Sequence, residues 1–209
     1  MILLGSISVN GQETIKREDK SPNGRSTETY YVLKSDMGTK HGEYKRYWDS
    51  KLVAEGKYNY GEKEIFNYYF MDKTPSLTYD YSRNEVLAYV GKDNFTEVYS
   101  EFGEKTEVDR PPLPLFSRYE LTWFIANNLK YPIKAMENGQ SGKVQILVKI
   151  DANGNVTNYS LFSRVSKLLN EEALRVVNSI PKEWKWLPAV KDNTPIESAI
   201  LLPVSFVLN

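Results

Sequence analysis

Residues 142–162, GKVQILVKIDANGNVTNYSLF, constrain the fold more than any other stretch of this chain. Val144, Ile146, Val148 and Ile150 alternate with Lys143, Gln145, Leu147 and Lys149, the period-two pattern of a strand with one buried face. Asn153-Gly154 then predicts a tight turn, because both residue types tolerate positive φ, and Val156–Phe162 supply the return strand. The flanks extend the pattern. Ser117-Arg118-Tyr119-Glu120 has capping-box spacing, and Leu121, Phe124, Ile125 and Leu129 follow at helical spacing toward a stop before Pro132. Leu169, Ala173, Val176, Val177 and Ile180 form a second helical stripe, with Glu171 and Glu172 near its positive end. Ile196, Ser198, Ile200, Leu202, Val204, Phe206 and Leu208 then lie on one face of a long last strand. The order helix, strand, strand, helix, strand predicts an α+β domain: a three-stranded antiparallel sheet with two helices on one face.

A composition break separates this half from the rest. Residues 1–109 hold 12 of the 15 tyrosines and only Pro22 and Pro75, whereas eight prolines lie beyond. The seam, Arg110-Pro111-Pro112-Leu113-Pro114-Leu115, should be stiff and extended. It reads as a linker over residues 110–116, a docking motif for an aromatic groove being the alternative. The expected division is residues 1–11, 12–109, 110–116 and 117–209. The first, Met1 to Gly11, is an apolar run followed by small residues, which reads as an export-signal remnant without its basic start. A buried first strand is the alternative, and the signal is preferred because charged residues follow at once. No other segment approaches the ~20 apolar residues of a membrane span.

The tyrosine-rich half repeats itself. Tyr44 and Tyr47 recur as Phe66 and Tyr69, and Tyr58 recurs as Tyr81, a spacing of successive hairpins that each bury an aromatic face. An antiparallel hairpin or meander module is therefore expected. Gly42-Glu43-Tyr44 through Tyr47, with Gly56-Lys57-Tyr58, resembles the MORN-type repeat over about residues 40–70 and more loosely to 100. That resemblance implies an interaction or scaffolding role and brings no catalytic residues.

Chemistry is scarce. The 27 basic and 27 acidic residues cancel, so the electrostatic footprint that nucleic acid requires is missing. No cysteine is present, which removes disulfides, thiol nucleophiles and Cys-based metal sites. The single histidine, His41, lacks partners for a metal site or triad and reads as a turn residue. Asp151–Asn155 matches a calcium loop only in part: its Gly comes too early, and Phe162 stands where the bidentate Glu belongs. Glu171 and Glu172 diverge on their helix, and Arg175 and Lys185 read as solvated charges. Trp184 and Trp186 alternate, so one should pack on the core with the other half exposed. A non-enzymatic protein with no cofactor and no metal is expected.

The residues of the second half reach a family. Tyr131-Pro132, Gly142-Lys143-Val144, the Asp151–Val156 turn with Gly154, Glu172-Ala173-Leu174, Trp184 to Ala189 with Trp186 and Pro188, and Leu202-Pro203-Val204 occur in the order of TonB C-terminal domains. The resemblance covers about residues 117–209. It implies a periplasmic or cell-envelope location and a role in transport: capture of a short segment of an outer-membrane transporter by strand addition to the sheet edge. Pro203 agrees, since a strand paired on both sides has no room for a residue without an N–H. The expected partner edge is Ser198, Ile200, Leu202, Val204 and Phe206, with Tyr131, Pro132, Gly142, Gly154, Trp186, Pro188 and Pro203 as structural motif residues. A merely blunted edge in a structural protein of the envelope stays open as the alternative. The long spacer and membrane helix of a full TonB protein have no counterpart here: the Pro segment reaches about 20 Å, less than one bilayer at about 40 Å. A binding or adaptor role is therefore preferred to energy transduction.

Overall fold

The computed structural model describes residues 2–9, 11–22, 24–70, 74–90, 97–100 and 102–208, and of residues 2–6 the backbone alone. The chain divides into two compact units, residues 1–92 with 116–120, and residues 93–115 with 121–209.

The first unit is one eight-stranded antiparallel meander, its strands adjacent in chain order. They are β1 (Ile2–Val9), β2 (Gln12–Lys20), β3 (Ser26–Leu33), β4 (Lys40–Trp48), β5 (Lys51–Asn59), β6 (Glu62–Tyr69), β7 (Pro75–Asp80) and β8 (Glu85–Tyr89). Met1 and Asn10 of the segment read as a signal remnant lie outside the described residues; Ile2–Val9 form the edge strand β1, paired with β2. Two of the hairpins turn on two residues with positive φ, Asp49-Ser50 (45° and 64°) and Tyr60-Gly61 (48° and 90°), the mirror-image turns whose twist suits antiparallel strands.

Register explains the tyrosine repeat. Tyr30, Tyr44, Gly56, Phe66 and Tyr79 are successive cross-strand neighbours, and Glu28, Arg46, Ala54, Tyr68 and Leu77 form the next row on the same face. Phe66 lies at the centre: its ring centroid is 5.5 Å from Tyr44, 5.4 Å from Tyr58 and 5.7 Å from Tyr81. Gly56 leaves room for it, since a Cβ there would stand 2.5 Å from the Phe66 ring. Residues two strands apart in the repeat thus stack on each other, each close pair adding about 0.5–1.5 kcal/mol beyond area burial.

A set of charged groups on this face is paired. The Arg46 guanidinium lies 2.8 Å from Glu120 and 3.7 Å from Glu28, and the Lys40 ammonium is 3.6 Å from Glu28. Glu120 arrives from the start of α1 (Arg118–Asn128), where it accepts the Ser117 N–H at 3.2 Å, while the Ser117 hydroxyl accepts the Tyr119 N–H and donates to the Tyr69 carbonyl. The capping box therefore forms with its hydroxyl on the N–H of Tyr119 in place of that of Glu120, and its carboxylate also serves the sheet. His41, expected in a turn, is instead buried in β4 with its Nδ1 accepting the Tyr60 N–H at 3.2 Å.

The second unit is built on five strands in the order β10-β9-β17-β12-β13. In chain order its elements are β9 (Val98–Tyr99), β10 (Lys105–Thr106), β11 (Leu113–Pro114), the rest of α1, α2 (Ile133–Glu137), β12 (Gly142–Ile150), β13 (Val156–Ser163), α3 (Lys167–Asn178), β14 (Trp186–Leu187), β15 (Ala189–Lys191), β16 (Thr194–Ile196) and β17 (Ser198–Phe206). The expectation of a three-stranded sheet with two helices is corrected, among the described residues, to a five-stranded sheet with three helices and two further two-stranded pairs, β11-β14 and β15-β16; β9 and β10 are two residues each, too short to leave a period in the sequence. The Pro-rich stretch read as a linker is built in as well: Leu113 is buried and pairs Leu187, and Pro114 pairs Trp186.

The core forms on one sheet face. Val144, Ile146, Val148 and Ile150 of β12 and Ile200 and Val204 of β17 are buried with Leu169, Ala173, Val176 and Val177 of α3. Ser166 caps α3, accepting the Leu169 N–H. No helix among the described residues is long and apolar enough to cross a membrane.

Replacing Arg46 by Met leaves Glu120 buried without its cation and is expected to cost about 3 kcal/mol near neutral pH, read from urea unfolding. Burial pushes the Glu120 carboxyl above its usual range, and Arg46 only partly offsets this. A carboxyl raised in the folded state contributes stability that is fully present below its unfolded value of about 4.3 and lost as pH rises through the folded value. The deficit of Arg46→Met is therefore expected to shrink as pH falls toward about 4; a deficit that stays constant from acid to neutral pH contradicts the assignment.

Candidate functional site

The last strand is the natural place to look, and its backbone decides what it can offer. β17 pairs β12 over nine residues in an unbroken register, from Ser198 opposite Ile150 to Phe206 opposite Gly142. In an antiparallel ladder, a residue's N–H and C=O point to the same side and successive residues alternate. The Gln145 N–H donates to Ser163 Oγ at 3.2 Å, and the Lys149 carbonyl accepts from the Thr157 hydroxyl at 3.5 Å, so the odd-numbered residues of β12 face β13. Their partners in β17, Ala199, Leu201, Pro203 and Ser205, consequently turn their backbone groups away from β12. Pro203 thus sits where its missing N–H costs the ladder nothing.

Ser198, Ile200, Leu202, Val204 and Phe206, the expected partner edge, are placed differently. Their side chains are all buried, and their backbone groups face β12. The outward groups are the N–H of Leu201 and Ser205 and the carbonyls of Leu201, Pro203 and Ser205. Ala199 is already engaged, opposite Tyr99 of β9. Side-chain alternation was read correctly from sequence, but backbone direction runs on the opposite parity. Pro203 was the signal that could have told the two apart.

The family-motif residues hold the frame around this edge. The Tyr131 hydroxyl donates to the Gln140 carbonyl at 2.5 Å, and its ring meets Phe206 at 5.5 Å. The Pro132 carbonyl accepts the N–H groups of Ala135 and Met136 at the start of α2. Gly142 has φ 145°, with Val165 3.1 Å from where its Cβ would stand. Trp186 is buried and donates its N–H to the Gly154 carbonyl at 3.1 Å, with Pro188 beside the same glycine.

The β12–β13 turn is not the predicted two-residue type. Only Gly154 has positive φ (79°), and Asp151 organises a five-residue loop, its carboxylate accepting the N–H groups of Asn153 at 2.9 Å and Asn155 at 2.8 Å. The Asn155 side chain and these N–H groups hold the Asp151 carboxyl below its ordinary range. Lys185, read as solvated, donates to Asn155 Oδ1 at 2.6 Å. Arg175 likewise bonds Glu172 and the Asn128 carbonyl, each at 2.6 Å. Partial burial alone would raise the Glu172 carboxyl, but Arg175 and the Lys130 N–H hold it below its usual range. Trp184 stacks edge-on against Phe124 at 5.6 Å.

A second candidate, a groove of about 610 Å³ on the polar face of the first unit, is lined by Glu43, Lys45, Glu55, Lys57, Asp80 and Arg83 among others. Two of its carboxylates are engaged. Glu55 accepts the Tyr69 hydroxyl at 2.5 Å and faces Lys45 at 4.0 Å, and Asp80 accepts the N–H and hydroxyl of Ser82. Among the described residues no group of three or more His, Cys, Asp or Glu could hold a metal ion.

Residues 127–208 match the family described as Gram-negative bacterial TonB protein C-terminal. Over this segment the chain is similar to TonB C-terminal domains. It is 34% identical over 83 residues to Protein TonB of Xanthomonas campestris pv. campestris strain B100, covering 40% of this chain and 36% of that protein. To Protein TonB of Vibrio cholerae serotype O1 it is 31% identical over 80 residues, covering 38% and 31%. The chain thus spans about a third of the length of these curated relatives. The solution structure of the Helicobacter pylori TonB C-terminal domain superposes with a TM-score of 0.34 at 22% identity, over 43% of this chain and 78% of that one.

Gly154→Ala is expected to lower stability by about 3 kcal/mol. A left-handed φ costs a side chain about 1–2 kcal/mol, and the added Cβ would stand 1.8 Å from the Trp186 carbonyl oxygen, forcing a backbone shift of the kind that costs about 1–3 kcal/mol. Thermal unfolding of the variant, with Gly139→Ala as a positive-φ control whose Cβ meets nothing within 4 Å, separates strain from collision.

Proposed function

We propose that the second unit is a peptide-capture module of a TonB-like cell-envelope protein, taking an extended segment of a protein partner as an added strand along β17. An outer-membrane transporter is the partner class that the TonB relatives suggest. The observation that carries this reading is the outward backbone of Leu201, Pro203 and Ser205. Strand addition uses such groups for affinity and alternate side-chain pockets for specificity. Two N–H and three C=O groups, at about 1 kcal/mol net per hydrogen bond, give at most about 5 kcal/mol. That corresponds to dissociation constants near 0.1–1 mM before side chains contribute. A transient, non-enzymatic adaptor is the behaviour this supports. The eight-stranded unit, whose aromatic and glycine spacing resembles MORN-type repeats, serves on this reading as a scaffold. The alternative is a purely structural envelope protein, favoured by the short strand β9 that already lies on part of the edge.

Ser205→Pro tests the choice, because it removes one outward N–H at an exposed position and leaves the β12 ladder intact. Pull-down from envelope extract is expected to lose its partner with Ser205→Pro and keep it with Ser205→Ala, while both variants unfold like the wild type. Full retention by a folded Ser205→Pro contradicts capture at this edge.

A further inference from the structure

The edge of β17 carries an occupant from its own chain. Tyr99 lies opposite Ala199 and Val98 opposite Ile200, antiparallel, so β9 stands where an added strand would stand. Alternation sends the two side chains to opposite faces. Val98 is buried on the helix-covered side next to Ile200, whereas Tyr99 closes a small apolar cluster with Leu147, Ala199 and Leu201 on the other side. The Tyr99 ring also meets Phe162 at 5.4 Å.

The attachment is slight. β9 contributes two residue pairs to β17, against nine between β17 and β12. Most of its other bonds stay within its own hairpin. Val98 and Tyr99 pair Thr106 and Lys105, the Ser100 N–H donates to the Glu104 carbonyl at 2.7 Å, and the Tyr99 hydroxyl and Lys105 ammonium both reach Glu97, at 3.0 and 2.8 Å. A hairpin that satisfies its own polar groups loses few hydrogen bonds on lifting away; what its departure exposes is the apolar cluster and the Ala199 backbone.

We propose that β9 is a resident occupant of the capture edge and that a partner binds by replacing it: an extended peptide, antiparallel to β17, with an aliphatic residue at the Val98 position followed by an aromatic one at the Tyr99 position. This rests on the edge-capture reading and adds the side-chain chemistry of the partner and a competing strand. The aliphatic side chain enters beside Ile200, and the aromatic ring refills the gap over Leu147 and Ala199. The peptide backbone N-terminal to the aliphatic residue lies along Leu201 to Ser205.

The test uses the full chain and a synthetic peptide of residues 92–100, Lys-Asp-Asn-Phe-Thr-Glu-Val-Tyr-Ser, long enough in this register to reach Ser205, capped at both ends and fluorescently labelled, with a control peptide carrying Asp and Ser in place of Val and Tyr. Tyr99→Ala is expected to raise amide exchange at Ala199 at least tenfold while the β12 amides keep their protection, which shows that the unit is folded. The same variant is expected to bind the peptide at least fivefold more tightly than the wild type, and the control peptide is not. Val98→Asp with Tyr99→Ala provides a stronger release if Tyr99→Ala alone is too mild. Unchanged Ala199 protection in both variants overturns residency. Equal peptide affinity in wild type and variants overturns displacement but leaves edge capture standing, whereas binding that survives Ser205→Pro overturns both.

Discussion

The β12–β17 ladder is the interaction on which the second unit depends, because it spends every other backbone group of the last strand and thereby fixes which ones remain. Nine consecutive pairs leave Ala199, Leu201, Pro203 and Ser205 facing the opposite way. The same parity buries Ile200, Leu202, Val204 and Phe206 beneath the helices. Core and edge are therefore two consequences of one register. A slip by a single residue would expose the apolar set and turn Pro203 into the ladder, so both the hydrophobic pattern and the proline specify the same answer.

Much of this was legible. The alternation from Val144 to Ile150 and the stripe from Leu169 to Val177 are long periodic signals, and the structure places them as read. The failures share a physical cause: they occur where local chemistry outranks period. Asn153-Gly154 looks like a two-residue turn until Asp151, two positions earlier, captures the loop N–H groups and lengthens it. β9 and β10 are too short to show a period, and are held by pairing with segments about 100 residues away or with each other. The Pro-rich seam has the composition of a linker, yet Leu113 finds a buried place beside Leu187 that no local reading could supply.

In the first unit the legible feature was the repeat, and the illegible one was what completes it. Tyr44, Phe66 and their neighbours stack because hairpins of equal length return equivalent residues to one face. Gly56 is the counterpart of that stacking: the ring of Phe66 occupies the space a side chain would take. Glu120 could not be foreseen. The sequence assigns it only a capping-box role, but the face that carries the tyrosines also carries Arg46, and a partly buried guanidinium requires a carboxylate.

An exposed sheet edge beside an apolar cluster is a hazard as well as a binding surface, and proteins ordinarily blunt such edges. Here the two requirements meet at β17. Pro203 removes one donor from the rim without disturbing the inner ladder, which makes the strand a poorer template for a second copy of itself. β9 covers the apolar end, where Ala199, Leu201 and Leu147 would otherwise face water. A longer resident strand would protect the edge better and make it harder to reach; an absent one would leave it open to indiscriminate pairing. On the proposed reading, a two-residue strand anchored by one valine and one tyrosine holds the edge closed to partners that offer backbone alone, and yields it to one that also replaces both side chains.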